Sequence, residues 1–178
     1  MVGRGSRSAG FLAARSSDDD GDKTAERRIL VIEGRYYEDI ADELAAGAAA
    51  VLDAAGYAHE RITVPGALEI PQVLASAVQA GLIPQGGRRA RFAGVVALGC
   101  VIRGETAHYD IVCNNANHWL MATAVANAIP VGNGILTVDT KEQALARARG
   151  GVDGKGGDAA RACLALLTIA ASFREGDA

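Results

Sequence analysis

The stretch Leu98-Gly99-Cys100-Val101-Ile102-Arg103-Gly104-Glu105-Thr106-Ala107-His108 gathers the residue types suited to acid–base work on an anionic substrate. It leaves an apolar β-branched run, Phe92 to Ile102, turns at Arg103-Gly104 and enters a helical pattern just after a Thr and a His. An imidazole titrates near neutral pH and can pass protons in either direction. A helix N-terminus at the same place offers unpaired backbone N–H groups and a positive dipole end to a phosphate, with the Thr106 hydroxyl as a further donor. Strand–loop–helix junctions at the carboxyl ends of parallel strands are where α/β proteins bind ligands. The two other histidines, His59 and His118, have no such context and read as surface or packing residues.

The elements that must position this junction follow from the apolar pattern. Residues 1 to 27 read as a disordered polar tail, dominated by Gly, Ser, Arg and the run Asp18-Asp19-Asp20, without the continuous apolar core of a signal peptide. Residues 28 to 178 then read as a single domain. Ile29 to Ile32 suits a strand buried on both faces. Glu38 to Ala55 carries a helical period and stops at Gly56, and Arg61 to Val64 makes a short strand ended by Pro65-Gly66. Leu68 to Val78 follows as a helix that tolerates Pro71 only in its first turn. After a Gly- and Arg-rich loop, Gly81 to Arg91, comes the strand ending at Ile102, then an Ala-rich helix from Tyr109 to Ile129, stopped by Pro130. Val131 to Val138 is a fourth strand. Thr140 and Gln143 stand at capping-box spacing for a helix over Lys141 to Arg149, Gly150 to Gly157 reads as a flexible link, and Asp158 to Phe173 as the last helix.

Strands alternating with helices in this way argue for a parallel sheet with right-handed crossovers and helices on both faces. Three strand ends then converge: Arg35-Tyr36, Val64 to Glu69, and Cys100 to His108. A chain of 178 residues buries roughly 70% of its unfolded surface and needs no metal or disulfide staple. The net charge of -3 is small and the 18 Lys and Arg are scattered, which gives no footprint for nucleic acid. No apolar run is long enough to be expected to span a membrane. The three cysteines, Cys100, Cys113 and Cys163, sit inside apolar patterns and read as buried thiols in a reducing cytoplasm. Gly99 to Gly104 has neither dinucleotide-fingerprint nor P-loop spacing, which sets a generic nucleotide-binding domain last among the readings.

Four strings, VPGALEIP (Val64 to Pro71), ALGCVIRGETAHYDIVC (Ala97 to Cys113), PVGNGILTVDTKEQALAR (Pro130 to Arg147) and GKGGDAA (Gly154 to Ala160), resemble the 6,7-dimethyl-8-ribityllumazine synthase family in order and spacing. The resemblance covers about residues 28 to 174. It implies a flavodoxin-like, three-layer α/β/α sandwich with a four-stranded parallel sheet. It also implies a transferase of riboflavin biosynthesis that condenses 5-amino-6-(D-ribitylamino)uracil with 3,4-dihydroxy-2-butanone 4-phosphate, without a metal or organic cofactor. In the family the assembly is built from pentamers with active sites between subunits; riboflavin synthase is the partner that this implies, and the cytoplasm the compartment. The rival readings are a binder of riboflavin or lumazine without catalysis and a shell-forming homologue with an idle site; a pure binder has little need of both His108 and Arg147.

Carried over position by position, the resemblance assigns His108 as the catalytic histidine. It gives phosphate recognition to Glu105 and Thr106, largely through backbone N–H groups, and to Arg147 supplied by the neighbouring subunit, whose guanidinium holds phosphate oxygens bidentately. The plainer reading of Arg147, a cation near a helix C-terminus, is worth about 0.3–1 kcal/mol. Arg149 competes with it for the phosphate. Tyr36 aligns with the aromatic that stacks on the pyrimidine, with Tyr37 as a competitor, and stacked rings add about 0.5–1.5 kcal/mol beyond area burial. Ala67, Leu68 and Glu69 match the ribityl-binding segment, Glu69 accepting hydroxyl protons and Leu68 standing where many relatives have Phe. Cys100, Val101 and Ile102 present backbone groups to the pyrimidine edge. Asn133, from across the interface, stands where many relatives carry Phe and leaves the ring stacked on one side. Gly151 and Asp153 depart from the family in a linker that shapes contacts between pentamers.

Overall fold

The computed structural model describes residues 28–83 and 90–176. The polar tail expected over residues 1–27, and positions 84–89 of the Gly- and Arg-rich loop, lie outside the described residues. Four strands, β1 (Arg28–Gly34), β2 (Ala58–Val64), β3 (Gly94–Ile102) and β4 (Val131–Val138), form one sheet in the order β2-β1-β3-β4. Every pairing is parallel. Five helices connect and cover it: α1 (Glu38–Ala54), α2 (Ile70–Gln79), α3 (His108–Ala126), α4 (Lys141–Ala148) and α5 (Lys155–Glu175).

Alternation along the strands divides the core in two. Ile29, Val31, Val96 and Leu98 pack with Leu44, Ala48, Ala144, Ala148 and Ala160, so α1, α4 and α5 cover one face. Leu30, Ile32, Val95 and Ala97 pack with Ile70, Leu74, Ala116 and Leu120, so α2 and α3 cover the other. This is the flavodoxin-like α/β/α sandwich with a four-stranded parallel sheet that the resemblance implied. The chain leaves β1 by α1 on one face and β3 by α3 on the opposite face. A crevice therefore opens between the carboxyl ends of β1 and β3, where the connections part.

Three expectations need correcting. The second strand begins at Ala58, three residues ahead of the expected Arg61. It is an edge strand, mostly exposed, so His59, Glu60 and Arg61 sit in the ladder with their polar side chains in or near water.

The stretch Gly150 to Gly157 is not a loose link. It folds into a 3-10 turn, Gly151–Asp153, and the first turn of α5. Its glycines are there for close packing: a Cβ on Gly156 would stand 1.9 Å from the Leu44 carbonyl oxygen of α1, and one on Gly157 2.0 Å from that of Val152. The turn itself needs left-handed backbone at Gly150, φ 110, and Gly151, φ 56.

Finally, α5 is, by length and composition, apolar enough to cross a membrane, with a mean hydropathy of 1.2 over Lys155–Arg174. Its inner side, Ala159, Ala160 and Cys163, belongs to the core, whereas Leu166, Ile169 and Phe173 lie exposed on its outer side.

Candidate active site

The crevice between β1 and β3 is a groove of about 410 Å³. Tyr36 and Tyr37 line it from the end of β1, and Pro65 to Glu69 from the end of β2. Cys100, Val101 and Ile102 come from the end of β3, and Gly104, Thr106, His108, Tyr109 and Val112 from the loop and first turn beyond it. The three convergent strand ends thus meet in one place, around the junction with which the sequence is most generous.

Tyr36 is 73% exposed, with its ring facing outward where a planar ligand can lie. Tyr37 packs against the core and meets the Tyr36 ring edge-on, with centroids 4.9 Å apart and planes at 74°. Burial raises the Tyr37 phenol above its ordinary value. The two tyrosines divide the work: Tyr37 braces and Tyr36 presents a face.

On the opposite wall, Gly66 N donates to Glu69 Oε2 at 2.9 Å, closing the 3-10 turn Ala67–Glu69. One oxygen of Glu69 is therefore committed to the turn. Pro71 falls in the first turn of α2, where its missing N–H costs nothing.

Cys100 lines the groove. Burial pushes its thiol up to about 12, so it stays protonated and is no nucleophile near neutral pH. Cys113 is raised by burial as well, and Cys163 is pushed up to about 12 by burial under β4. All three thiols are free.

The other end of the groove is built by the start of α3. His108 is its first residue, exposed at the groove mouth, and its N–H donates to Thr106 Oγ1 at 3.4 Å. Thr106 and His108 both line the groove, and a helix start leaves its first amides without partners inside the helix. Arg103 ties this loop down: its guanidinium lies 4.0 Å over the Tyr109 ring and Nε donates to Asp139 Oδ1 at 3.0 Å. Glu105 is exposed and does not line the groove, although both of its neighbours, Gly104 and Thr106, do.

Two residues singled out in the sequence stand apart from this groove. Asn133 lies on β4, where Nδ2 donates to Asn117 Oδ1 at 2.7 Å and Oδ1 accepts from Ile135 N at 3.0 Å. Arg147 is exposed on α4, and its Nη1 donates to the Gln143 carbonyl at 3.0 Å. Arg149, its competitor, sits 3.7 Å from Glu43. His59 and His118 are also outside the groove: His59 Nδ1 is 3.5 Å from Asp53, and His118 lies against Trp119, centroids 5.0 Å apart. Tyr109 and Val112 line the groove but were not foreseen, although their spacing from His108 on a helix, one and four residues on, places them along its first turn.

The sequence profile of one family, described as 6,7-dimethyl-8-ribityllumazine synthase, matches residues 26–171. A protein of that name from Methylorubrum populi is 55% identical over 142 residues, 80% of this chain and 82% of its own length. One from Azorhizobium caulinodans is 51% identical over 149 residues, covering 84% of this chain and 90% of the relative. One from Rhodopseudomonas palustris strain BisA53 is 48% identical over 163 residues, 92% of this chain and 96% of the relative. The match runs through all four strands and the whole groove, so the chain belongs to the 6,7-dimethyl-8-ribityllumazine synthase family.

Proposed function

We propose that the groove is the larger part of an active site that a neighbouring subunit completes. As a member of its family the chain is a transferase. It condenses 5-amino-6-(D-ribitylamino)uracil with 3,4-dihydroxy-2-butanone 4-phosphate to give 6,7-dimethyl-8-ribityllumazine, phosphate and water, the penultimate step of riboflavin biosynthesis. The observation that carries the site reading is the convergence of Tyr36, Ala67–Glu69, Cys100–Ile102, Thr106 and His108 on one groove.

In this reading Tyr36 stacks on the pyrimidine. Backbone groups of Cys100, Val101 and Ile102 read its edge, and Ala67, Leu68 and Glu69 take the ribityl hydroxyls. The phosphate sits at the start of α3, on the amides of Glu105 and Thr106. His108, beside it, moves protons as the amine attacks the ketone, water departs, phosphate is eliminated and the second amine closes the ring. Arg147 of an adjacent subunit reaches the phosphate. The pairing of Arg149 with Glu43 leaves Arg147 as the better candidate for an incoming anion. The assembly is a pentamer or a stack or shell of pentamers, working in the cytoplasm, with riboflavin synthase as the enzyme that takes up the product.

The test is steady-state lumazine formation, followed by absorbance, from both substrates. Wild type turns over well above the uncatalysed condensation, and Arg147→Ala raises KM for the butanone phosphate by about tenfold or more, the loss of one charge-assisted contact. A wild type no faster than buffer overturns the reading. Asn133 is proposed to form a polar second wall around the ring. Asn133→Phe then tightens ribitylaminouracil binding measured by calorimetry, and an unchanged affinity rejects that role.

A further inference from the structure

Glu33 is the one charged side chain fully buried among the described residues, and the chemistry proposed above makes no use of it. It is the penultimate residue of β1, just before the Tyr36 wall. Arg61 of β2 grips it with two donors, Nε on Oε1 and Nη2 on Oε2 at 2.9 Å. Arg35 adds Nη1 on Oε2 at 3.2 Å and sends Nη2 to Asp42 of α1 at 2.8 Å. The carboxylate thus joins the edge strand, the turn after β1 and the first helix. A buried carboxylate is costly unless paired in this way, and apolar residues could have filled the same volume.

The strap lies where the two walls of the groove touch. Arg35 N donates to Val64 O at 2.9 Å, and a Cβ on Gly34 would stand 2.9 Å from the backbone carbon of Gly66. Arg35 is also the residue before Tyr36, whose exposed ring has little packing of its own to hold it.

We infer that Glu33 is a positioning residue for substrate binding: through Arg35 and Arg61 it sets the spacing between the Tyr36 face and the Pro65–Glu69 wall. The inference rests on the proposed role of the groove. It calls for a change in one substrate's binding rather than in the whole reaction, because the phosphate end of the groove is built by other elements.

The experiment compares wild type, Glu33→Gln and Arg35→Met in steady-state lumazine formation, each substrate varied in turn, with melting temperatures measured alongside. Glu33→Gln keeps the shape and removes the charge. Arg35→Met leaves Glu33 paired with Arg61, so the strap is cut in a chain whose buried pair survives. Both variants are expected to raise KM for the ribitylaminouracil about tenfold while KM for the butanone phosphate and kcat stay within about twofold. Unchanged constants in Arg35→Met overturn the inference. So does a parallel loss of both KM values and kcat together with a fall in melting temperature, which marks Glu33 as scaffold only. If wild type itself makes no lumazine, the functional reading has failed, and this inference falls with it.

Discussion

At the scale of single residues, the groove sets an exposed imidazole beside a buried thiol. His108 stands exposed at the mouth, beside amides suited to phosphate. Cys100, which lines the same groove, is held neutral by burial. That neutrality has a consequence for stability. Burial pushes Cys100 and Cys163 from an ordinary value of 9.0 up to about 12 in the folded chain. Folding favours the protonated thiol, so this contribution is intact below pH 9 and drains as pH rises from 9 through 12. The melting temperature of wild type is expected to fall more steeply over that window than that of Cys163→Ala, each normalised to its value at pH 8. Parallel curves contradict the assignment. The roles of Cys100, Tyr36 and Glu69 as groove residues were legible in the sequence because each lies at or just beyond the carboxyl end of a strand. The bracing by Tyr37 and the commitment of one Glu69 oxygen to Gly66 were not, since both depend on side-chain directions that spacing leaves open.

At the scale of elements, strand and helix order could be read from apolar periodicity, and β4 is found where it was expected, Val131–Val138. Thr140 caps α4 as its spacing with Gln143 foretold, accepting from Gln143 N at 3.3 Å. The misreadings have physical causes. An edge strand has one face and one side in water, so the polar start of β2 looks like loop. A cluster of glycines looks flexible when Gly154, Gly156 and Gly157 are present because another backbone lies too close for a Cβ, and Gly150 and Gly151 because the turn needs a positive φ, neither of which a local pattern reveals. Gly156→Ala puts a methyl 1.9 Å from Leu44 O where α5 crosses α1. It is expected to cost about 1–3 kcal/mol or more, the range for overpacking a tight interior, read as a shift in the urea midpoint with an unchanged slope. A variant as stable as wild type contradicts the packing account of this segment.

At the scale of the whole molecule, one chain holds a groove but not the cation expected for its phosphate. Arg147 and Asn133 lie outside the groove that His108 lines. Exposed apolar side chains on α3, Trp119 at 57% and Val125 at 76%, together with Phe173 at 67% on α5, leave surface for neighbouring copies to cover. A site shared between copies accounts for both facts. The direct test mixes subunits: His108→Ala and Arg147→Ala chains, each poorly active alone, are co-expressed in equal amounts and assayed for lumazine. If His108 acts from one subunit and Arg147 from the next around a closed ring, about a quarter of the interfaces carry both intact residues, and activity returns to about that fraction of wild type. Activity no greater than the mean of the two parent variants contradicts a site assembled across subunits.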